Sequence, residues 1–222
     1  MITPPSTEAE LLARARALAG LTLPELAARL GHRLPADLRR HKGVIGALLE
    51  AGLGASAGSK AEPDFPGLGV ELKTIPVGPT GRPRESTFVC TANLDVALSG
   101  AWPDSWVRRK LSRVLWVPVV HQPEPVIGAA VLWSPSDEED AALAADWHDL
   151  ADSLARGELW RLHARHGHVL QLRPKGADNR DLTWIAGEDE ERVQDMRRGF
   201  YLRPAFTGAV LGRLLQLPPA AR

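Results

Sequence analysis

Apolar residues recur at helical spacing in several stretches of the chain, and strand-like runs lie between them. "TEAELLARARALAG" (7–20) predicts a first helix, with Thr7 and Glu10 as a capping box and Gly20 as a stop. "LPELAARLG" predicts a short second helix ending at Gly31. In "KGVIGALLEAGLG" residues 44, 45, 48 and 49 form an apolar stripe, closed by Gly52 and Gly54. "LGVELKTIPV" and "STFVCTANL" predict strands, and "RKLSRVLWVPVV" and "PVIGAAVLWS" two more. "SPSDEEDAALAADWHDLADSLARG" predicts a long helix with Ser136 and Glu139 as its capping box. "GHVLQLRP" predicts a late strand, and "RPAFTGAVLGRLLQ" a final helix with Pro204 in its first turn. Helices before and after a central group of strands place the chain in the α/β or α+β class, with a mixed sheet covered by helices.

Composition adds bounds. At 222 residues the chain suits one domain, or one domain with a small lobe. The one cysteine, Cys90, excludes an internal disulfide framework and a multi-cysteine zinc site; in "TFVC" it reads as a buried, inert thiol. No apolar run reaches the ~20 residues of a membrane span. "MITPPSTEAE" lacks the basic-then-apolar order of a signal peptide, so a soluble cytoplasmic protein is expected, with no membrane partner. Net charge is zero, but the charge is segregated. Residues 137–152 hold seven acids and no Lys or Arg, while 156–180 hold five Arg and one Lys against two acids. "RRKLSR" (108–113) adds four cations. A basic face for nucleic acid is compatible with this pattern, as are two unlike solvated helix faces. His163, His166 and His168 fit no standard zinc spacing.

"GASAGSKAEPDFPGLGVELK" (54–73) carries two competing chemistries. A phosphate-binding loop needs Gly-Lys-Ser/Thr between a strand and a helix. Here the order is Gly58-Ser59-Lys60 between a helix and a strand, so that reading fails. The second half has the pattern P-D-x₆-E-x-K. Strand alternation puts Glu71, Lys73 and Ile75 on one face and Val70, Leu72 and Thr74 on the other. Asp64 lies seven residues before Glu71 in a Pro/Gly-rich turn, and Glu50 ends the preceding apolar helix. Two carboxylates suit Mg²⁺, which activates water and neutralises charge in phosphodiester hydrolysis. A lysine on the same face can hold the attacking water. Taken alone, E-x-K is also a common solvated strand face.

These stretches, with "GRPRESTFVC", "VRRKLSRVLWVPV", "VLWSP", "ARHGHVLQLRPK" and "RGFYLRPAFT" in order, resemble the MutH family. These are strand-discriminating endonucleases of methyl-directed mismatch repair, related to certain restriction endonucleases. The resemblance runs from about residue 6 to 216 and is weak at 93–105, 121–130 and 178–195, which it implies to be variable loops. It implies a restriction-endonuclease-like α/β fold, a central mixed sheet flanked by helices, with two lobes around a DNA cleft. Residues 1–222 would form a single endonuclease domain, with catalytic residues within about 42–90 and DNA-reading elements within about 156–216. It implies Mg²⁺-dependent nicking 5′ to the G of hemimethylated GATC, on the unmethylated strand of double-stranded DNA. It also implies activation by MutL after MutS finds a mismatch, and a monomeric enzyme.

Residue by residue, the resemblance makes Asp64, Glu71 and Lys73 the catalytic triad and Glu50 an added acid. Asp64, Glu71 and the backbone carbonyl of Leu72 would be the metal ligands. Lys42, Phe88 and Lys110 match DNA contacts, Arg173, Pro174 and Lys175 the sequence-reading loop, and Tyr201 the methylation sensor. Arg and Lys are the usual donors to guanine O6 and N7, and a close-fitting aromatic excludes an N6-methyl group. A restriction enzyme cutting both strands, or a non-catalytic DNA-binding module on the same scaffold, are the alternatives. One visible D…E-x-K set favours a nicking monomer over the first, and retention of all three residues disfavours the second.

Overall fold

The structure, a computed structural model, describes residues 2–38, 43–58, 60–92, 101–156, 158, 166–175, 182–186 and 192–217. In chain order the helices are α1 (Glu8–Ala17), α2 (Leu23–Leu30), α3 (Gly43–Leu53), α4 (Trp106–Leu111), α5 (Asp137–Ala155) and α6 (Pro204–Leu215). The strands are β1 (Glu71–Val77), β2 (Thr87–Thr91), β3 (Val114–Val120), β4 (Val126–Ile127), β5 (Val131–Trp133), β6 (Leu170–Pro174), β7 (Leu182–Ala186), β8 (Arg192–Met196) and β9 (Arg198–Leu202). They form two compact units: residues 1–85, 113–134 and 208–222, and residues 86–112 and 135–207.

The first unit holds a mixed sheet. β1 and β3 pair in parallel from Glu71↔Val114 to Val77↔Val120, and β4 and β5 add to β3 antiparallel. A parallel pair needs a long crossover, and here residues 86–112, part of the second unit, supply it. One face of the sheet, with Val70, Leu72, Leu115 and Val117, packs into a core with Leu11, Leu26, Leu49, Leu53 and Phe65 from the helices and the turn before β1. This is the expected α/β architecture, a mixed sheet covered by helices.

Helix ends follow local chemistry, with two departures. The Thr7 hydroxyl accepts from the Glu10 amide at 3.1 Å, but the Glu10 carboxylate turns to the Ser6 amide and hydroxyl, both at 2.8 Å. The expected Thr7–Glu10 box is therefore half formed, because Ser6 offers two donors to one carboxylate oxygen and Arg14 takes the other. Complete boxes cap α2 (Thr22, Glu25) and α5 (Ser136, Glu139). Gly52 stays inside α3, and Gly54, at φ +81°, ends it. A Cβ on Gly54 would lie 2.7 Å from the Thr3 carbonyl oxygen.

The stretch "RKLSRVLWVPVV" is not one strand. Ser105 accepts from the Arg108 amide at 3.0 Å and starts α4, which buries Val107 and Leu111 on one face; β3 starts only at Val114. "PVIGAAVLWS" divides into β4 and β5, because Gly128 turns back to donate to the Pro118 carbonyl at 2.8 Å. Within 178–195, read as loop, the described residues form β7 and β8, paired antiparallel.

Arg113, just before β3, grips Glu8 of α1 with two parallel hydrogen bonds, Nε to Oε1 at 2.8 Å and the second to Oε2. The Arg113 hydrogen bond holds the Glu8 carboxyl below its ordinary range. A depressed carboxylate contributes stability above its unfolded value, about 4.3, and loses it as pH falls through the folded value. Both groups are about a third exposed, so the contribution is at most about 1 kcal/mol. Glu8→Gln is therefore expected to lower the denaturant midpoint slightly at pH 7, with the gap to wild type closing below about pH 4. A gap of constant size across that range would contradict the assignment.

Candidate active site and nucleic-acid interface

In the first unit, the described residues of "GASAGSK" form a close-packing loop. The Ser56 and Ala57 amides donate to the Asp64 carbonyl at 3.1 and 3.4 Å, and Ala57 is buried. Small side chains permit that approach. The following turn is closed by Phe65 and Val70, which exchange backbone hydrogen bonds at 3.0 and 3.3 Å, with Gly69 at φ +65°. This bridge folds the seven-residue gap back on itself. The Leu72 amide then donates to Asp64 Oδ2 at 2.8 Å.

Glu71 and Lys73 share the opposite face of β1, as alternation requires. Lys73 Nζ lies 2.8 Å from Glu71 Oε1. Their side chains are only 6% and 11% exposed, respectively, so this is not a solvated strand face. Across the parallel register Glu71 faces Val114, and Lys73 faces the fully buried Trp116, whose ring meets Trp133 at 5.6 Å. One charge pair thus lies on an apolar floor, where its electrostatic interactions are strong and poorly screened. Glu50 is half-buried on α3, with its carboxylate one turn from Gly46.

In the second unit, β2, β9 and β6 form an antiparallel sheet with β9 in the centre. Phe88 pairs with Tyr201, Tyr201 with Gln171, and Gly199 with Arg173, so these residues share one face. Leu170, Leu172, Phe200 and Leu202 lie on the other face and are buried. Phe88 is 37% exposed and is therefore no core aromatic. Its ring meets Tyr201 edge-on at 5.3 Å. The Arg173 guanidinium lies 5.7 Å from the Tyr201 ring and Lys175 Nζ 5.4 Å from the Phe88 ring. Pro174 is exposed between them. Cations interleaved with aromatics on one sheet face suit stacking and hydrogen bonding to nucleic acid.

The other expected contacts divide. Lys110 lies on α4, 5.2 Å from the Trp106 ring. Of the basic run, Arg108 pairs with Asp140 on α5 at 3.2 Å, so the acidic helix and the basic run are partly matched rather than segregated. Lys42 and His163 lie outside the described residues. Cys90 is buried, as expected. No helix among the described residues is long and apolar enough to cross a membrane.

A family model described as DNA mismatch repair enzyme MutH matches residues 53–146. DNA mismatch repair protein MutH of Salmonella paratyphi C is 54% identical over 98% of this chain and 97% of its own length. The proteins of the same name from Salmonella choleraesuis and Salmonella paratyphi B match to the same extent. The chain belongs to the MutH family. The matched segment starts just before the loop that leads to Asp64 and runs through β1, β3 and the first half of α5.

The MutH resemblance implies a magnesium ion, and the donor set fits one. Among the described residues β3 is the strand that pairs along β1, and an isolated bridge joins Val77 to Pro83 at the strand's end. The Glu71 amide points to β3, donating to the Arg113 carbonyl at 2.9 Å, while the Leu72 amide points the other way, to Asp64. Amide and carbonyl of one strand residue share a direction, so the Leu72 carbonyl also points to the open edge, beside Asp64. Two carboxylates and a carbonyl are hard oxygen donors that leave positions for water. Among the described residues, no group of three or more His, Cys, Asp or Glu is placed to hold a metal.

Sequence reasoning missed Asp146 of α5. Its carboxylate, on a residue 2% exposed, accepts the amides of His168, Val169 and Leu170 at 2.8, 2.6 and 2.8 Å and so sets the start of β6. Gly167, at φ +79°, is obligatory beside it, since a Cβ would lie 1.8 Å from the Leu170 carbonyl oxygen. A charge buried in an apolar helix face was the available signal.

Proposed function

We propose that this chain is a Mg²⁺-dependent DNA endonuclease of mismatch repair that nicks the unmethylated strand 5′ to the G of hemimethylated GATC sites. The observation that carries this reading is the Leu72 amide bond to Asp64, which places that carboxylate at the strand bearing the buried Glu71–Lys73 pair. Asp64, Glu71 and the Leu72 carbonyl would hold the ion, which when bound lowers the pKa of water and neutralises charge on the phosphate. Hydrolysis adds one water across a phosphorus–oxygen bond of the backbone. Lys73 places its side-chain nitrogen at that phosphate and orients the water. Glu71, bonded to Lys73, holds it in place. Glu50 adds negative charge from α3.

Reading falls to the second unit. Arg173 and Lys175 donate to base edges, Pro174 stiffens the chain between them, and Tyr201, braced by Phe88, excludes the adenine N6-methyl group. Lys110 and Lys42 contact the phosphate backbone. The enzyme works as a monomer in the cytoplasm, and MutL activates it downstream of MutS.

The test is incubation with unmethylated, hemimethylated and fully methylated GATC duplexes, each strand labelled, with Mg²⁺ or with chelator. The expected result is a single break in the unmethylated strand of the hemimethylated duplex, an intact fully methylated duplex and no product in chelator. Breaks in both strands at once would mark a restriction enzyme instead. Binding without breakage, with MutL present, would mark a non-catalytic module.

A further inference from the structure

On the face that carries Phe88, Tyr201, Arg173 and Lys175, two hydroxyls meet the two cations. Arg173 on β6 reaches across the central strand and donates from Nη1 to Ser86 Oγ at 2.9 Å. Lys175 reaches across likewise, donating to Thr91 Oγ1 at 2.8 Å. Both acceptors lie on the far side of the sheet, 87 and 84 residues away in sequence. All four side chains are half-buried.

Two features of the sheet make this crossing possible. β2 is bulged: its register steps from Phe88↔Tyr201 to Cys90↔Phe200, leaving Val89 as the extra residue. Val89 and Cys90 are therefore both buried. Strict alternation would put Thr91 on the face opposite Phe88; the bulge turns it to the same face, opposite Gly199. Gly199 in turn lies between Arg173 and Thr91 in the register and has no side chain to block the span. A Cβ there would come within 2.8 Å of the Phe88 ring and 3.3 Å of the Tyr201 ring.

We infer that Ser86 and Thr91 are positioning residues for sequence reading, which hold Arg173 and Lys175 across the sheet before DNA arrives. This rests on the proposal that Arg173 and Lys175 read bases. Arg and Lys lose the most rotamer freedom on ordering, and a cation already held loses less of it on binding. A hydroxyl accepts one of the five guanidinium N–H groups or one of the three ammonium N–H groups, leaving further donors for a base edge. Neither hydroxyl carries charge, so neither adds to phosphate attraction.

The experiment measures kcat/KM with Mg²⁺ on a GATC duplex and on single-base variants, and duplex binding at three salt concentrations. It compares the whole protein with Ser86→Ala, Thr91→Val, Ser86→Thr, Thr91→Ser, Arg173→Ala and Lys175→Ala. The expected result is a roughly 3- to 10-fold fall in the GATC preference for Ser86→Ala and Thr91→Val. The slope of affinity against salt keeps its wild-type value, because no charge is removed. Ser86→Thr and Thr91→Ser, which keep the hydroxyl, restore the preference; if they stay as low as the hydroxyl-less variants, the effect is packing and the inference fails. An unchanged preference in Ser86→Ala and Thr91→Val, while Arg173→Ala and Lys175→Ala lose it, overturns the inference and leaves the reading of bases standing. An unchanged preference in Arg173→Ala and Lys175→Ala overturns both.

Discussion

Asp64→Asn and Glu71→Gln are each expected to reduce Mg²⁺-dependent nicking by roughly 10³-fold or more, while duplex affinity in the absence of metal stays near wild type. Each replacement preserves shape and one carbonyl oxygen. In Asp64→Asn that oxygen can still accept the Leu72 amide, which now lies 2.8 Å from Asp64 Oδ2. In Glu71→Gln it can still accept from Lys73, whose Nζ now lies 2.8 Å from Glu71 Oε1. What is lost is the negative charge that a hard cation requires. Glu71→Gln also removes the Glu71 charge from beside the buried Lys73 ammonium, so this variant should melt lower than Asp64→Asn. Lys73→Ala should lose about 10²–10⁴ in rate. Rates are read from strand-labelled hemimethylated duplexes under saturating enzyme, with a thermal melt of each variant alongside. Near-normal nicking by folded Glu71→Gln would remove Glu71 from the active site.

Asp146→Ala is expected to be the most destabilising of the changes considered, by roughly 3–5 kcal/mol. Asp146 is 2% exposed, and its two oxygens take three consecutive backbone amides. Alanine strands all three, and an unsatisfied buried donor costs about 1–3 kcal/mol. A domain with a total stability of roughly 5–15 kcal/mol has little margin against such a loss. Asp146→Asn should fall between the two. Its single oxygen can serve Val169 and Leu170, but its NH₂ then confronts the His168 amide, donor against donor. Because these amides begin β6, the loss also disturbs Arg173 and Lys175 at its far end. Urea midpoints measure it. A midpoint for Asp146→Ala within experimental scatter of wild type would show that other acceptors serve these amides.

The features legible in the sequence are those decided within a few residues. Alternation along one strand puts Glu71 and Lys73 on a common face whatever surrounds them, and they bond there. Ser136 finds Glu139 three residues on, and the box forms. The Thr7–Glu10 box shows how narrow that margin is, because Ser6, the residue just before Thr7, wins the carboxylate. The ordered motifs also carried the family, since they extend over nearly the whole chain. "RRKLSR" misled because one stretch serves two ends, Arg108 facing α5 and Arg113 facing α1.

By itself, then, the sequence determined the caps at Ser136–Glu139 and Gly31, the common face of Glu71 and Lys73 and membership of the MutH family. These depend on covalent spacing and local hydrogen bonds. Only the tertiary structure decided that Glu71 and Lys73 are buried, that Asp64 reaches the Leu72 amide, and that Asp146 holds the start of β6. It also decided that Phe88 is exposed and that a bulge at Val89 brings Thr91 within reach of Lys175. Burial, sheet register and bulges arise when strands distant in sequence meet, and apart from Leu72, eight residues on from Asp64, the partners lie outside any local window. For Lys175 and Thr91 that partner is 84 residues away, on the other edge of a sheet whose central strand comes last in the chain.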